Sequence, residues 1–167
     1  MLQRFIFIIQ NIFTMKTCVA VLFFIGLIFS SIAQNKNDLL YEAIVKSDKP
    51  GVEKLLAEGA SANYVKELKP WLQVSMLIAS VDYKNVEIVQ LLLNKKADVN
   101  FRDGFNTTAI IYAASNGELE MVKLLVDFGA NINDNDGKGN SVLSAAKESE
   151  NASLIAFVES KIKAGGQ

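Results

Sequence analysis

The chain has 167 residues, of which 50% are apolar and 21% are charged, and its formal net charge is −1. This length suits one small domain, and so balanced a charge gives little electrostatic support for binding nucleic acid or anionic lipid. The sequence has no histidine and a single cysteine, Cys18. That composition excludes Ser-His-Asp and Cys-His catalytic sites and argues against the usual zinc sites.

Residues 1–33 have the pattern of a secretory signal peptide. They include no acidic residue, and Lys16 precedes an apolar run from Val19 to Ile32 that leads into a Ser-Ile-Ala exit. We predict cleavage after Ala33. Translation that starts at Met15 would still give a complete signal. The segment therefore predicts a periplasmic or secreted protein with no membrane contact after cleavage.

An uncleaved membrane anchor is the alternative for this segment, and a buried N-terminal helix is a third possibility. The apolar run of about 14 residues is shorter than the roughly 20 that a membrane-spanning helix needs. Cys18 precedes the run, on the wrong side for a lipid-attachment cysteine. Cleavage removes two basic residues and no acidic one, which leaves 15 basic against 18 acidic residues and a net charge of −3.

The predicted domain, residues 34–167, opens with a helix–turn–helix unit. Asp38 is the predicted N-cap of a helix over Leu39–Val45, because its side chain suits that position. A turn is predicted at Ser47–Gly51, and a second helix is predicted to begin at Val52. The segment Gly59–Asn63 closes the unit.

An irregular segment, residues 64–74, follows the first unit. The step from Ala60 to Ala97 is 37 residues, four more than the next step, and the extra length falls in this segment. It contains the only tryptophan, Trp71, and one of the two prolines. In the unit after it, Lys84 and a second lysine stand where glycine closes helices in the next unit, so these helix ends are expected to be less settled.

The most regular stretch is Thr108–Asn133, which reads TAIIYAASNGELEMVKLLVDFGANIN. It predicts two short helices, with Thr108 as a cap-type residue and with Gly117 and Gly129 as left-handed ends. Its Ala-Asn-Ile-Asn ending has a twin, Ala-Asp-Val-Asn, 33 residues earlier at residues 97–100. A helix–turn–helix unit therefore repeats with a period near 33.

This period and pattern resemble the ankyrin repeat. The family pattern T-P-L-H-x-A-A-x-x-G, then V-x-L-L-L-x-x-G-A-D-x-N, can be followed over roughly residues 37–163. Its proline and histidine are replaced by Ala109 and Ile111 in one repeat and by Met76 and Ile78 in the repeat before. The resemblance implies an all-α solenoid, monomeric, with hairpin-like connectors and about four repeats, at about 37–63, 72–100, 105–133 and 138–163.

The resemblance also implies a non-catalytic protein that binds another protein through connector tips and the concave helix face. Trp and Tyr are enriched at binding hot spots. The alternative for Trp71 and Leu72 is that they fold back over the first repeat. The implied contact residues are Trp71, Leu72, Val74, Asp82, Tyr83, Phe101, Phe105, Thr107, Ser115, Asn116 and Lys138, with Gly104, Gly137, Asn140 and Glu148 at equivalent places.

No cofactor and no metal are expected. The acidic connector 134–140 does not fit a calcium loop, because Gly137 at the sixth position would put Ile132 first and Leu143 twelfth. Two tripeptides, starting at Asn106 and Asn151, match a glycosylation acceptor, which matters only in a eukaryotic secretory pathway. Two other functions stay open: an inhibitor, immunity or protective subunit for an envelope enzyme or toxin, and a membrane-anchored scaffold.

Overall fold

The computed structural model describes residues 35–165, so the predicted signal peptide lies outside the described residues. The chain divides into two units between residues 36 and 37, and the second unit carries the fold described below. Within residues 35–165, each helix is too short or too polar to cross a membrane.

Helices follow one another in pairs along the second unit. The first helices of successive pairs pack side by side, α3 on α5 and α5 on α7, and the second helices do the same from α2 to α8. This stacking of helix pairs confirms the predicted all-α solenoid. The helices are α1 (described over residues 35–45), α2 (Lys49–Ala57), α3 (Met76–Asp82), α4 (Val86–Asn94), α5 (Ala109–Ser115), α6 (Leu119–Asp127), α7 (Val142–Glu148) and α8 (Ala152–Gly165).

One continuous apolar core runs through the stack. In α3 every residue from Met76 to Val81 is buried, because this helix lies between neighbouring elements. In α6 the predicted apolar face is inside, with Val122 and Leu125 fully buried. Helices of seven or nine residues are too short to be stable alone, so packing against the neighbouring repeats stabilises them.

The irregular segment after the first repeat folds into a β-hairpin. Its strands are β1 (Val65–Lys69) and β2 (Leu72–Ser75), which pair antiparallel with Val65 opposite Ser75. The register shifts between Glu67 and Lys69, which marks a bulge. The four extra residues are thus used to lengthen a connector into a two-stranded hairpin.

Left-handed backbone positions recur where the repeat pattern places them. Gly117 and Gly129 have φ angles of 74° and 91°, and their counterparts one repeat earlier, Lys84 and Lys96, have φ angles of 55° and 62°. Asn106 also has a positive φ, 65°. The two lysines therefore adopt a conformation that costs non-glycine residues free energy.

Two expectations for the first repeat were wrong. Asp38 lies inside α1 and is not its N-cap; its carboxylate instead accepts hydrogen bonds from Lys66 Nζ at 2.6 Å and Tyr64 Oη at 3.1 Å. Helix α2 begins at Lys49, within the predicted turn, because Asp48 caps it by accepting from the Gly51 amide. Proline in the first turn of α2 loses no hydrogen bond there.

The cap position of α5 is where the sequence places it, but its hydrogen bond is different. Thr108 is the N-cap of α5, yet its side chain makes no capping bond. Its hydroxyl donates to a carboxylate oxygen of Asp134 in the next connector. Ser75 and Ser141 cap α3 and α7 in the usual way. The side chain of Thr108 therefore joins two repeats instead of capping its own helix.

Candidate interaction surface

Two exposed aromatic side chains meet at the connector tips. Trp71, in the hairpin turn, is 58% exposed, and Phe105, in the next connector, is 45% exposed. Their ring centroids are 5.9 Å apart with an interplanar angle of 69°, an edge-to-face contact. The ammonium of Lys69 lies 5.1 Å from the centroid of the Trp71 ring. We call Trp71 and Phe105 the aromatic pair.

The backbone beneath the aromatic pair is closely packed. A Cβ atom on Gly104 would lie 2.2 Å from the Trp71 carbonyl oxygen, so glycine is needed for the two connectors to approach. Asp103, the residue before Gly104, accepts hydrogen bonds at its Oδ1 atom from the amides of Phe105 and Thr107, both at 2.9 Å. These contacts fix the backbone that carries both rings.

Trp71 lies beside the third repeat rather than over the first. Its ring contacts Phe105, and more than half of its surface is exposed. The hairpin itself is tied to the first repeat through the ion pair of Lys66 with Asp38. The position of Trp71 therefore favours the binding interpretation over the alternative that it covers the first repeat.

A cavity of about 370 Å³ lies next to the aromatic pair, with Phe105 in its wall. It opens between the third and fourth repeats, where α5 and α7 supply its floor. Six of the residues implied by the family resemblance line it, namely Phe105, Thr107, Ser115, Lys138, Asn140 and Glu148. Other lining residues are Ile111, Tyr112, Asp136 and Ala145.

Two carboxylates organise the polar wall of the cavity. Asp136 accepts hydrogen bonds from the Lys138 amide at 2.7 Å, the Asn140 amide at 3.0 Å and Asn140 Nδ2 at 2.8 Å. The bond from the Lys138 amide is the main reason that the pKa of Asp136 is lowered from its ordinary value. Asp103 accepts from the Tyr112 hydroxyl at 2.6 Å. Burial first, and then this bond, raise the pKa of Tyr112.

The remaining residues of the implied contact set lie in three places. Leu72 and Val74 are half-buried in β2, and Val74 packs on the core. Phe101 also packs on the core and lines a second cavity of about 270 Å³ with Ala62 and Leu77. The structure therefore places Phe101 outside the lining of the cavity beside the aromatic pair.

Asp82, Tyr83 and Asn116 lie where the first helices of the repeats end. Asp82 and Tyr83 are exposed at the end of α3. Asn116 occupies the equivalent position at the end of α5, but its Nδ2 atom is buried without a hydrogen-bond partner among the described residues. Only part of Asn116 can therefore meet a partner.

Tyr112 and Asp136 line the cavity, and sequence reasoning did not select them. Tyr112 lies three residues before Ser115 on α5, so both share one helix face. That spacing is the signal that could have found Tyr112. Asp136 could be recognised only as the family's connector aspartate, because its hydrogen bonds appear only once the connector is folded.

Both asparagines of the glycosylation-type tripeptides use their amide nitrogens inside the fold. Asn106 Nδ2 donates to the Asp136 carbonyl at 2.9 Å, and Asn151 Nδ2 donates to the Gly117 carbonyl at 2.8 Å. Each of these hydrogen bonds joins two neighbouring repeats, so both amide nitrogens are already in contact with the fold.

Comparison with known proteins agrees with the repeat stack. Residues 75–163, more than half of the chain, match the model of ankyrin repeats in three copies. The comparison with curated proteins gives no significant match. The matched range includes Phe105 and the cavity but begins after Trp71. Among residues 35–165 no group of three or more histidine, cysteine or acidic side chains could hold a metal ion. On the strength of three matched copies, the chain belongs to the ankyrin-repeat family, whose repeats are protein-interaction modules.

Proposed function

We propose that the chain is an exported, monomeric protein that binds another protein through its connector tips and the exposed side of its first helices. The observation that carries this proposal is the aromatic pair, which presents two large apolar rings to solvent at the junction of two repeats. Large aromatic side chains dominate the energetics of protein interfaces. The cavity beside Phe105 extends the same surface with polar groups.

The ordered backbone beneath the aromatic pair supports a binding role. The close approach of Gly104 to Trp71 and the bonds of Asp103 order the backbone that carries both rings before any partner arrives. A surface that is already ordered loses less conformational entropy when it binds. Partners are thus expected to meet a preformed surface, with no folding step at the tips.

We assign no catalytic activity to the chain. The three buried acids among residues 35–165 are engaged in the structure: Asp103 with Tyr112, Asp134 with Arg102 and Thr108, and Asp136 with the turn that follows it. Each of these carboxylates orders a connector or joins two repeats. A structural role therefore accounts for the acidic residues that a catalytic site would need.

Removal of both rings of the aromatic pair tests the proposal. The immobilised chain is exposed to its own envelope fraction, captured proteins are identified, and the affinity of each is measured for Trp71→Ala/Phe105→Ala. A specific partner should lose at least about thirtyfold in affinity, which corresponds to about 2 kcal/mol. The double variant keeps the backbone contact at Gly104, so the fold should be retained.

Phe128→Ala is the matched control, because Phe128 is a 39% exposed aromatic at the end of α6, in the second-helix layer. This variant should bind the partner as the wild-type chain does. Equal affinity of the double variant and the wild type would overturn the proposal. If the captured partner is an enzyme or toxin that loses activity in the complex, the inhibitor function is supported.

Export is tested by N-terminal sequencing of the protein from its native source. A mature chain that begins at Gln34 is the expected result, because the apolar run and the Ser-Ile-Ala exit predict cleavage after Ala33. A mature protein that retains the apolar run would instead support the membrane-anchored scaffold.

A further inference from the structure

The cavity between the third and fourth repeats has polar groups that the fold does not use. The side chains of Ser115, Lys138 and Glu148 line it and make no hydrogen bond or ion pair among the described residues. All three are exposed. All three are therefore available to a ligand, whereas Asp136 and Tyr112 already use part of their hydrogen-bonding capacity inside the fold.

The charged side chains that line this cavity carry more negative than positive charge. Its ionisable groups include two carboxylates, of Asp136 and Glu148, and one ammonium, of Lys138. The lowered pKa of Asp136 keeps that carboxylate ionised at neutral pH. The Tyr112 hydroxyl donates its hydrogen bond to Asp103, so it offers a ligand no donor of its own. The cavity lining therefore carries an excess negative charge and favours a cationic donor.

The rest of the wall is aromatic and aliphatic. Phe105 and Tyr112 supply rings, and Ile111 and Ala145 supply aliphatic surface. A ligand that fits must combine an apolar stem, a flat cationic head and several donors. Arginine has all three, since its guanidinium binds carboxylates through paired N–H groups and stacks on aromatic rings, whereas the ammonium of lysine is a compact point charge.

We propose that this cavity receives an arginine side chain of the protein partner, with the guanidinium at Glu148 and the stem along Phe105 and Tyr112. The inference rests on the proposed function, because it names the chemistry that the partner presents at the same surface. An acidic side chain would meet Lys138 but also two carboxylates. A purely apolar side chain would desolvate Glu148 without pairing it.

The same charge pattern continues along the stack. Asp82, Ser115 and Glu148 are the last residues of α3, α5 and α7, and they are spaced by 33 residues, one repeat. Asp82 is exposed and has no ion pair among residues 35–165. A partner segment that runs along these repeat ends would meet an acidic side chain on both sides of Ser115.

A titration with a single amino acid tests the proposal without the partner. Amide NMR spectra of the purified chain are recorded with N-acetyl-arginine methylamide, and in parallel with the lysine and glutamate analogues. The arginine compound should saturably shift the amide signals of Tyr112, Ser115, Asn140 and Glu148. The lysine compound should bind more weakly, and the glutamate compound should leave these signals in place.

Glu148→Gln should weaken the arginine compound about fivefold, the upper range for one exposed ion pair. Glu53→Gln makes the same charge change on α2 in the first repeat and should leave the affinity unchanged. Preserved spectra of both variants show that the fold is intact. Shifts that are absent, equal for arginine and glutamate, or unaffected by Glu148→Gln would overturn the proposal. Because no partner is present, this outcome is separate from failure of the capture experiment with the aromatic pair.

Discussion

Asp136 shows how one residue orders a whole connector. Its carboxylate accepts three N–H bonds from the turn that follows, and these bonds lower its pKa. An unfolded aspartate titrates near pH ~3.9. Because the folded pKa is the lower one, Asp136 stabilises the fold above this value, and that contribution is lost as the pH falls through the folded pKa.

We therefore expect the Asp136→Asn variant to differ most from the wild type at neutral pH. The uncharged side chain of asparagine cannot accept all three hydrogen bonds. The urea midpoint of the variant should therefore lie below that of the wild type at pH ~7. At pH ~3, below the ordinary aspartate pKa, the gap between the two midpoints should be narrower, because the charge-dependent contribution decreases as the pH falls towards the folded pKa. A gap of equal size at both pH values would contradict this account.

At the scale of the element, helix ends show what a left-handed position costs. Lys96 ends the second helix of its repeat with a φ of 62°, where the next repeat has Gly129 with a φ of 91°. A non-glycine residue there costs roughly 1–2 kcal/mol. Glycine avoids this cost. It also makes the unfolded chain more flexible, so folding loses more conformational entropy, and this offsets part of the gain.

Lys96→Gly is accordingly expected to raise the free energy of unfolding by about 0.5–1 kcal/mol. The reverse change, Gly129→Ala, should lower it by about 1 kcal/mol. A Cβ on Gly129 meets no atom within 4 Å, so the second effect reports backbone conformation alone. Urea titrations followed by circular dichroism measure both. Changes of the same sign in the two variants would be inconsistent with this interpretation.

Local patterns in the sequence predict the helices well from the second repeat onward. The 33-residue period identifies equivalent positions, so Lys84 and Lys96 could be placed at left-handed ends from their glycine counterparts. The start of α2 was missed because its cap, Asp48, lies inside what reads as a turn. The hairpin strands were missed because an insertion has no counterpart in the other repeats.

Contacts between repeats account for what the sequence did not show. Asp38 meets Lys66, and Thr108 meets Asp134, across 28 and 26 residues of chain. Residue type made both plausible capping side chains, but Asp38 lies inside α1, and Thr108 holds the N-cap position of α5 without a capping bond from its side chain. The contact of Trp71 with Phe105 and the grouping of Tyr112 with Glu148 likewise depend on how repeats stack. The family pattern indicated the surface, but only the stacked helices assembled the cavity.

At the scale of the whole molecule, the stack shares one core. Ile110 is fully buried in α5, which packs against α3, α6 and α7. Ile110→Ala should lower the free energy of unfolding by about 3 kcal/mol, because it leaves a cavity between repeats. Ile155, half-buried on the terminal helix α8, is the control, and Ile155→Ala should cost about 1 kcal/mol.

Two signals distinguish whole-stack unfolding from local unfolding in these variants. Circular dichroism reports all helices, and the fluorescence of the single tryptophan, Trp71, reports the hairpin. Coincident transitions are expected, since each repeat is stable only on its neighbours. A hairpin transition that stays at its wild-type position in Ile110→Ala would show that the first repeat unfolds independently.

The aromatic pair joins residues that lie 34 positions apart and belong to different repeats. A chain in which only the third and fourth repeats have folded has Phe105 and the cavity, but it has no Trp71 beside them. Recognition through the pair is therefore conditional on assembly: incomplete or misregistered chains lack half of the surface. A partner that binds both rings also stabilises the contact between the hairpin and the third repeat, because it binds only when that contact is formed.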